Sequence, residues 1–524
     1  MVPANIAARA AILLLIASGS AAAQHHAAAD SASLGTVHFE TSCNPIVMQT
    51  FDRGVALLHS FEFGASARAF REVLASDSTC AMAYWGLALG DWGNPMAAGN
   101  RAAAQLEAGR AAAGSGSRLG ARATDRERGY ITAVGRLYDD YEHSAQAARV
   151  AAYERAMADV VEREPADTEA KIFHAIALVA SASPTDKTYA RQLSAGATLE
   201  AIWKVLPNHP GLAHYIIHAY DYPELAPRAE AAARRYALIA PAAAHALHMP
   251  SHTFTRVGEW NASVETNRRS IAAASRSGSI AEMLHASDYV VYALLQMRRL
   301  DEARAMLDSL PALASRFDPN AVTGAAPGSA GLFALAAIPA RYALERRDWA
   351  SAARLAPRAT SFPWTDAMTY FSRAMGASHT GDLAVARAAL DSLSAIESRL
   401  RSDGEGYWAE QVAIQRLDAL AWLERANGRD DAALATMREA ATLEDATEKS
   451  AVTPGPLAPA RELLGDMLLD LGRPAEALAE YRATLRREPN RYHTLDGARR
   501  AAAVAGDRAA EASYARQLLA LTGS

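Results

Sequence analysis

Residues 457–490 read LAPARELLGDMLLDLGRPAEALAEYRATLRREPN, and this stretch decides the fold. Apolar residues recur in it at three- and four-residue spacing, which is the periodicity of amphipathic helices. The turn Gly472–Pro474 separates two such runs, because Gly commonly ends a helix and Pro commonly begins one. The interval from Gly472 to Gly506 equals the interval from Pro207 to Pro241. The sequence therefore predicts a repeat of helix–turn–helix units.

The same periodicity continues along the rest of the chain. From Val47 onward, apolar residues recur in segments of roughly 12–18 residues, and we find no alternating stretch that marks a strand. The chain has 524 residues, 50% of them hydrophobic, and a formal net charge of −5. Basic and acidic residues nearly balance and no Lys/Arg block stands out, so we expect no nucleic-acid partner and no anionic-membrane partner. The expected fold class is all-α.

This unit resembles the tetratricopeptide repeat, whose period is about 34 residues. The positions where that motif has its Leu-Gly pair, small Ala, aromatic residue and terminal Pro are occupied here by Leu464-Gly465, Ala477, Tyr481 and Pro489. Near the start of the chain, Gly54 and Phe70 fit the Gly and aromatic positions, whereas Thr484 departs from the usual Ala. The resemblance covers most of residues 45–522, strongly at 207–275 and 457–490. It implies a right-handed α-solenoid with many degenerate repeats and a concave groove that binds a protein or peptide.

The first 23 residues have the composition of a secretory signal. Arg9 provides a positive flank, Ala10–Ala17 is an apolar run too short to span a bilayer, and Ala21–Ala23 offers a small-residue cleavage site. We expect cleavage near Ala23, export to the periplasm or beyond, and no membrane-spanning segment. Export agrees with a further resemblance, to exported bacterial proteins that share a His-Met-Pro-Ser-His segment, here His248–His252.

The mature chain is predicted to consist of a lead-in and two repeat arrays. Residues 24–44 are expected to be a disordered lead-in. The Gly-, Pro- and Ala-rich stretch 318–331 is expected to divide an N-terminal array, 45–316, from a C-terminal array, 332–522. Cys43 and Cys80, the only cysteines, flank the first helix pair; they form a disulfide there or are two separately buried thiols.

Four histidines repeat at the length of the unit, and a fifth lies beside them. His214 and His218 lie at i and i+4 and share a helix face. His248 and His252 repeat that pair one unit length later, at the same interval that separates Pro207 from Pro241. His245 lies one turn before His248 on the same face. By the resemblance, all five occupy positions of the first helix that face the groove.

Three further residues are assigned by their positions relative to this set. Asp221 occupies a groove position of the same unit as His214, and His285 and Asp288 follow in the next unit. Pro250 lies inside the second pair and biases Met249 away from α geometry, so the helix is expected to kink or begin there.

Imidazoles at i and i+4 can chelate a transition metal, and two such pairs from facing helices supply three or four ligands. The predicted metal ligands are His214, His218, His245, His248, His252, His285 and Asp288. An all-His or His/carboxylate set suits Zn, Cu or Fe. We assign Asp221 as the candidate catalytic acid or base; a carboxylate at its place can also orient an imidazole through the second ring nitrogen.

Two other interpretations of the histidines remain open. The groove can be a polar site for a peptide or other ligand, or the histidines can form a structural hydrogen-bond cluster. The chain has no phosphate loop, nucleophile elbow, haem-attachment or His-Glu-x-x-His motif. The predicted function is therefore an exported solenoid with a metal-binding groove and a possible metal-dependent activity. A non-enzymatic scaffold that binds a partner protein is the alternative, and the sequence leaves the metal, the reaction and the oligomeric state open.

Overall fold

The structure, a computed structural model, describes residues 34–523, and this part of the chain is helical throughout. The signal segment 1–23 and residues 24–33 lie outside the described residues. Three 3₁₀ turns, at Pro45–Val47, Gly120–Arg122 and Ala226–Ala229, accompany the α-helices. No helix of the described residues is long and apolar enough to cross a bilayer.

The first half of the described chain contains helices α1 to α14. Their bounds are α1 Met48–His59, α2 Phe63–Ser76, α3 Ala81–Trp92, α4 Ala103–Leu119, α5 Asp125–Arg136, α6 Gln146–Arg163, α7 Thr168–Ala180, α8 Ala190–Trp203, α9 Pro210–Ala219, α10 Glu230–Ile239, α11 Ala244–His248, α12 Pro250–Arg256, α13 Trp260–Ser277 and α14 Ile280–Gln296.

The second half contains helices α15 to α25. Their bounds are α15 Leu300–Ala314, α16 Gly328–Leu344, α17 Trp349–Ala353, α18 Pro363–Thr380, α19 Leu383–Ser402, α20 Gly406–Ala426, α21 Asp430–Ala446, α22 Ala460–Asp470, α23 Pro474–Arg487, α24 Tyr492–Val504 and α25 Arg508–Thr522. Consecutive helices pack in antiparallel pairs along the chain, so the predicted all-α fold with tetratricopeptide-like helix–turn–helix units is confirmed.

The repeat motif has a packing reason that the structure makes visible. A Cβ atom built at Gly465 would lie 2.8 Å from the Tyr481 ring, and one at Gly497 would lie 2.4 Å from it. The fully buried tyrosine ring therefore fits between two helices only because both present a bare backbone to it. Phe70 of α2 lies in the same way against Gly54 of α1 and Gly86 of α3. The Gly and aromatic positions of the motif thus pack against each other, and the same contact occurs in both repeats.

The second part of the predicted lead-in is packed rather than disordered. Phe39 is fully buried, and its ring lies 5.2 Å from the rings of both Trp85 and Tyr130. Cys43 and Cys80 form a disulfide with their Cα atoms 4.8 Å apart. The expectation of disorder was wrong for residues 34–44, because a single buried aromatic residue and one covalent bond anchor a segment whose composition is otherwise loop-like.

The predicted loop 318–331 does not interrupt the core. One cluster of buried residues runs from Ala237 to Tyr342, and α14 packs directly on α16 across the loop. Residues of the second half also contact the first half, as where the Glu405 carboxylate accepts a hydrogen bond from the Asn100 amide. The two predicted arrays therefore share their packing at this junction.

Pro250 breaks the helix that carries the second histidine pair without turning it. Met249 keeps α-helical dihedral angles, φ −52° and ψ −35°, contrary to the expectation that Pro250 would displace them. The break is visible only as the end of α11 at His248 and the start of α12 at Pro250. Proline at the first position of a helix loses no hydrogen bond, so the backbone continues in nearly the same direction.

Candidate functional site

The histidines that the repeat offset singled out come together in the interior of the protein. They form two groups of three, in each of which one ring nitrogen per residue lies within 4.8 Å of the others. We name these groups triad A and triad B. Triad A is His214, His218 and His245, and triad B is His248, His252 and His285. All six side chains are buried, none of them more than 6% exposed.

The two triads adjoin each other. The ring centroids of His245 in triad A and His248 in triad B are 5.9 Å apart, and those of His218 and His252 are 6.0 Å apart. Helix α9 supplies two members of triad A, and α11, α12 and α14 supply the remaining four histidines. The six imidazoles therefore form one continuous cluster built from adjacent repeat units.

Hydrogen bonds fix the ring orientation of two members of triad B. His252 Nδ1 lies 2.9 Å from Asp221 Oδ2, and His248 Nδ1 lies 2.6 Å from Asn267 Oδ1. Both acceptors are oxygens, so each imidazole carries its proton on Nδ1 and has a lone pair on Nε2. These two Nε2 atoms face each other at 3.1 Å.

The assignment of the Asn267 side chain rests on its other neighbours. Its Nδ2 donates to the Ser263 carbonyl at 2.8 Å, and its Oδ1 faces the Ser251 hydroxyl at 3.5 Å. A flipped amide would place two oxygens against each other at Ser263. The amide oxygen of Asn267 therefore faces His248 Nδ1. The lone pair on Nε2 of His248 has no proton donor opposite it.

Other members of the two triads also carry nitrogens without a hydrogen-bond partner. His214 donates from Nδ1 to the His59 carbonyl at 2.6 Å, which leaves its Nε2 unpartnered. The Nε2 of His218, both ring nitrogens of His245 and the Nδ1 of His285 are likewise buried without a partner. Buried polar atoms are nearly always satisfied in native proteins, so this concentration of unsatisfied nitrogens calls for a ligand.

Burial keeps these imidazoles neutral. Loss of solvent lowers the pKa of both His214 and His285 to about 3, and it lowers the pKa of His218, His245 and His248 well below the usual value. Neighbouring histidines lower these pKa values further, since a second charge would repel the first. Neutral imidazole is the form that binds metals.

Asp221 is held by cations and does not suit the catalytic role that the sequence assigned to it. Besides His252, its carboxylate accepts from Arg256 Nε at 2.9 Å and from Lys449 Nζ at 3.3 Å. Burial alone would raise the pKa of Asp221, but Lys449, Arg256 and His252 hold it well below the usual range. A carboxylate that is already paired with these cations is a poor proton acceptor. Asp221 instead orients the His252 imidazole, which is the second role that the sequence analysis gave to a carboxylate at this place.

Asp288 lies outside both triads, contrary to its prediction as a metal ligand. Its Oδ1 accepts from Arg341 Nε at 2.9 Å, and both side chains are fully buried. Arg341 in turn donates to Thr453 Oγ1 and to the Gly455 carbonyl, each at 2.7 Å. Asp288 is therefore paired with Arg341 and through it helps to hold the segment that follows α21.

A third histidine cluster, beside triad A, has hydrogen bonds at three of its four ring nitrogens, and only His209 Nδ1 is buried without a partner. Glu169 accepts from His59 Nε2 and from His209 Nε2, both at 2.9 Å, and His59 Nδ1 lies 3.1 Å from the Tyr215 hydroxyl. The ring nitrogens that face the carboxylate carry protons and offer no lone pair to a metal. This cluster is a structural network, and its His59 carbonyl orients His214.

A small cavity, with a volume of about 30 Å³, reaches the histidine cluster. Two members of each triad line it. They are His218 and His245 of triad A and His252 and His285 of triad B. Its other walls come from residues 94–98, 325–330 and 450–452 and from the stacked rings of Trp364 and Trp408. Segment 450–452 covers the imidazoles, so they face an enclosed cavity and not the open groove expected from the resemblance.

The supporting residues were invisible in the sequence. Asn267 and Lys449 carry no spacing signal, and Lys449 is 228 residues from the carboxylate that it contacts. Arg256 and Tyr289 are the exceptions that a helical spacing could have found, because each lies four residues after a histidine of triad B. The Tyr289 hydroxyl lies 3.4 Å from His252 Nε2 and donates to the Ala451 carbonyl at 3.3 Å.

Together the helices define a tetratricopeptide-like α-solenoid with a buried six-histidine cluster. No family model matches the chain, and no curated protein matches it. A solved structure of the human IFIT1 dimer with PPP-AAAA is 12% identical with a TM-score of 0.39, covering 80% of this chain and 88% of that chain. The yeast Tom70 structure is 11% identical with a TM-score of 0.35, covering 88% of this chain and 96% of that chain. Likeness at this level carries no argument about function.

Proposed function

We propose that this chain is an exported protein that binds a transition metal at its cluster of buried histidines. The observation that carries the proposal is the pair of Nε2 atoms of His248 and His252, 3.1 Å apart with both Nδ1 protons committed elsewhere. Two lone pairs at this distance repel unless a cation lies between them. Zinc–imidazole bonds of about 2.0–2.1 Å at a tetrahedral angle separate two nitrogens by about 3.3 Å, close to the spacing here.

The environment of the pair is that of metal-binding histidines. Such residues commonly donate their second N–H to a carboxylate or another fixed acceptor, which sets the tautomer and the ring orientation. Asp221 and Asn267 provide these acceptors. A donor set of neutral imidazoles favours Zn, Cu or Fe over Mg or Ca, which prefer oxygen.

The cavity supports a catalytic role rather than simple storage. A bound metal with an open position would supply Lewis-acid or redox chemistry. Four imidazoles face the cavity, whose volume suits a ligand of about two water-sized groups and excludes a folded protein. The Tyr289 hydroxyl lies 3.4 Å from His252 Nε2 and is a proton donor beside the cluster. We therefore propose metal-dependent chemistry on a small molecule.

Export is supported by the disulfide between Cys43 and Cys80. Disulfides persist in oxidising compartments and are rare in the cytosol. The signal-like residues 1–23 agree with this compartment and supply the route to it.

A scaffold that binds a partner protein is the second candidate, and the solenoid fold favours it. Stacked helix pairs present extended surfaces, which repeat proteins commonly use for binding. A scaffold requires no metal, and it leaves the unsatisfied imidazole nitrogens without an explanation.

The test is to purify the mature chain from residue 24, without a His tag or chelator, and to measure bound metals by elemental mass spectrometry. Near-stoichiometric Zn, Cu or Fe is expected in the parent, with loss in a His248→Ala/His252→Ala variant that remains folded by circular dichroism. His379→Ala is the matched control, because this imidazole stacks on Trp349 outside the cluster and its loss leaves the metal in place. A parent that carries no metal and takes up none refutes the proposal and leaves the scaffold.

A further inference from the structure

Triad A has the same properties as triad B. In each triad three ring nitrogens from three residues lie within 4.8 Å of one another, as the ligands of a single metal ion do. In each, a hydrogen bond to a protein oxygen fixes the proton of at least one ring on Nδ1: His214 to the His59 carbonyl, His248 to Asn267. One metal ion in triad B would leave the nitrogens of triad A buried without a partner.

The two triads also open toward the same space. The rings that connect them, His245 to His248 and His218 to His252, have centroids within 6.0 Å. The cavity is lined by two imidazoles from each triad, so the open coordination position of each ion would face it. In two-metal sites the ions lie about 3.5–4 Å apart and share a ligand between them.

The charge around the cluster determines what that shared ligand can be. Six neutral imidazoles bring no negative charge, and the nearest carboxylate, Asp221, is already offset by Arg256 and Lys449. Glu62, which accepts from the His245 amide at 3.4 Å, is the other carboxyl beside the cluster. Two divalent ions in this enclosed setting would carry more positive charge than these two carboxyl groups compensate, which is unfavourable at low dielectric. A small anion bound between the ions removes that penalty.

We propose that triads A and B each hold one metal ion and together form a two-metal centre that binds one small anion between the ions. This inference rests on the proposed metal-binding function and adds to it the number of ions, their assignment to residues and the class of ligand. The cavity of about 30 Å³ holds about two water-sized groups, which is enough room for a small anion.

Metal stoichiometry in two matched variants tests the assignment. His245→Gln in triad A and His285→Gln in triad B each remove a ring that has a buried nitrogen without a hydrogen-bond partner. The full mature chain is loaded with Cu(II), freed of excess metal and analysed by elemental mass spectrometry. Two ions per chain are expected in the parent, one in each single variant and none in the double variant. His209→Gln, in the hydrogen-bonded cluster with Glu169, is the control and keeps two ions.

The outcomes separate this inference from the proposed function. One ion in the parent overturns the two-metal centre and leaves a single metal site standing. No ion in the parent overturns both. Two ions in the parent but none in either single variant overturn the assignment of one ion to each triad.

Spectroscopy of the same samples tests the proximity of the ions and the shared anion. Neighbouring Cu(II) ions couple, so the parent is expected to show much less electron paramagnetic resonance intensity than its copper content, and each single variant is expected to regain the full signal of one ion. Azide, the anionic probe, is expected to bind the parent at one per two copper ions. Full signal intensity in the parent, or two azide ions bound per chain, contradicts the shared centre without any variant having to fold.

Discussion

Replacing Asp221 with Asn separates the role of this carboxylate in positioning from its role in stability. The side chain keeps its shape but loses its charge, and one of its two oxygens becomes an N–H donor. Its partners are donors on every side: His252 Nδ1 and Arg256 Nε at 2.9 Å and Lys449 Nζ at 3.3 Å. The substitution therefore removes the carboxylate paired with two buried cations, of which Arg256 keeps Glu448 at 3.9 Å, and it leaves one imidazole without a charged acceptor.

The magnitudes follow from these contacts. Removing one partner of a buried ion pair costs about 3–5 kcal/mol, because the remaining charge is left uncompensated. Asp221 is about nine-tenths buried at its side chain, and Arg256 and Lys449 are at least as buried, so that range applies. Loss of an outer hydrogen bond to a metal-binding histidine weakens metal affinity by about 10–100-fold, which is about 1.4–2.7 kcal/mol of binding free energy.

Asp288→Asn is the matched control for this experiment. Asp288 is fully buried and paired with Arg341 at 2.9 Å, so its replacement is expected to lower the free energy of unfolding by a similar amount. It lies outside both triads, so its replacement is expected to leave metal affinity within about twofold. Urea unfolding of the metal-free proteins gives the first quantity, and competition with a chelator of known affinity gives the second.

The comparison between the two variants can refute the reasoning. Unchanged affinity in Asp221→Asn would show that this carboxylate does not position a metal-binding imidazole. Equal loss of affinity in both variants would show that the effect comes from general destabilisation and not from the contact with His252.

Three further predictions concern the fold. Burial raises the pKa of Glu282 to about 7, above the 4.5 of the unfolded chain, so the stability that it contributes is complete below pH 4.5 and is lost as the pH rises to 7. The free energy of unfolding of Glu282→Gln minus that of the parent, measured with urea, is therefore expected to increase by up to about 3 kcal/mol from pH 4.5 to pH 8. The same difference between variant and parent at both pH values contradicts this. The disulfide between Cys43 and Cys80 closes a loop with a sequence separation of 37, so the double Ser variant is expected to lose about 4 kcal/mol in the same assay, and a loss below about 1 kcal/mol would argue against it. Gly497→Ala places a Cβ 2.4 Å from the Tyr481 ring and is expected to lower the free energy of unfolding by about 1–3 kcal/mol, whereas an unchanged melting temperature would refute the close packing.

Much of the fold and the membership of the histidine cluster could be predicted, because both depend on the spacing of residues within one or two repeat units. A helical repeat places equivalent residues side by side, so two histidine pairs one repeat length apart had to meet if the repeat formed. All six predicted histidines are in the two triads for this reason, although Pro250 lies within the second pair. The break there does not re-aim the rings, since proline at the first position of α12 requires no change in helix direction.

The roles of the two carboxylates could not be predicted in the same way. Asp221 and Asp288 have helical spacing to the histidines, and spacing alone suggested a catalytic group and a ligand. Their partners decide otherwise: Lys449 and Arg341 come from distant parts of the chain and hold each carboxylate in an ion pair. Spacing along one helix indicates which face a residue occupies, but not what packs against that face.

The sequence by itself determined the helices, their pairing and the residues of the cluster, because these depend on neighbours within about one repeat length. Only the tertiary structure decided that the cluster is enclosed, that it divides into two triads and that a shared cavity reaches both. Segment 450–452, from the second half of the chain, closes over the imidazole of His218, which α9 supplies from the first half. Such contacts depend on the small rotation between successive units, which accumulates along a solenoid and is not encoded at any single spacing.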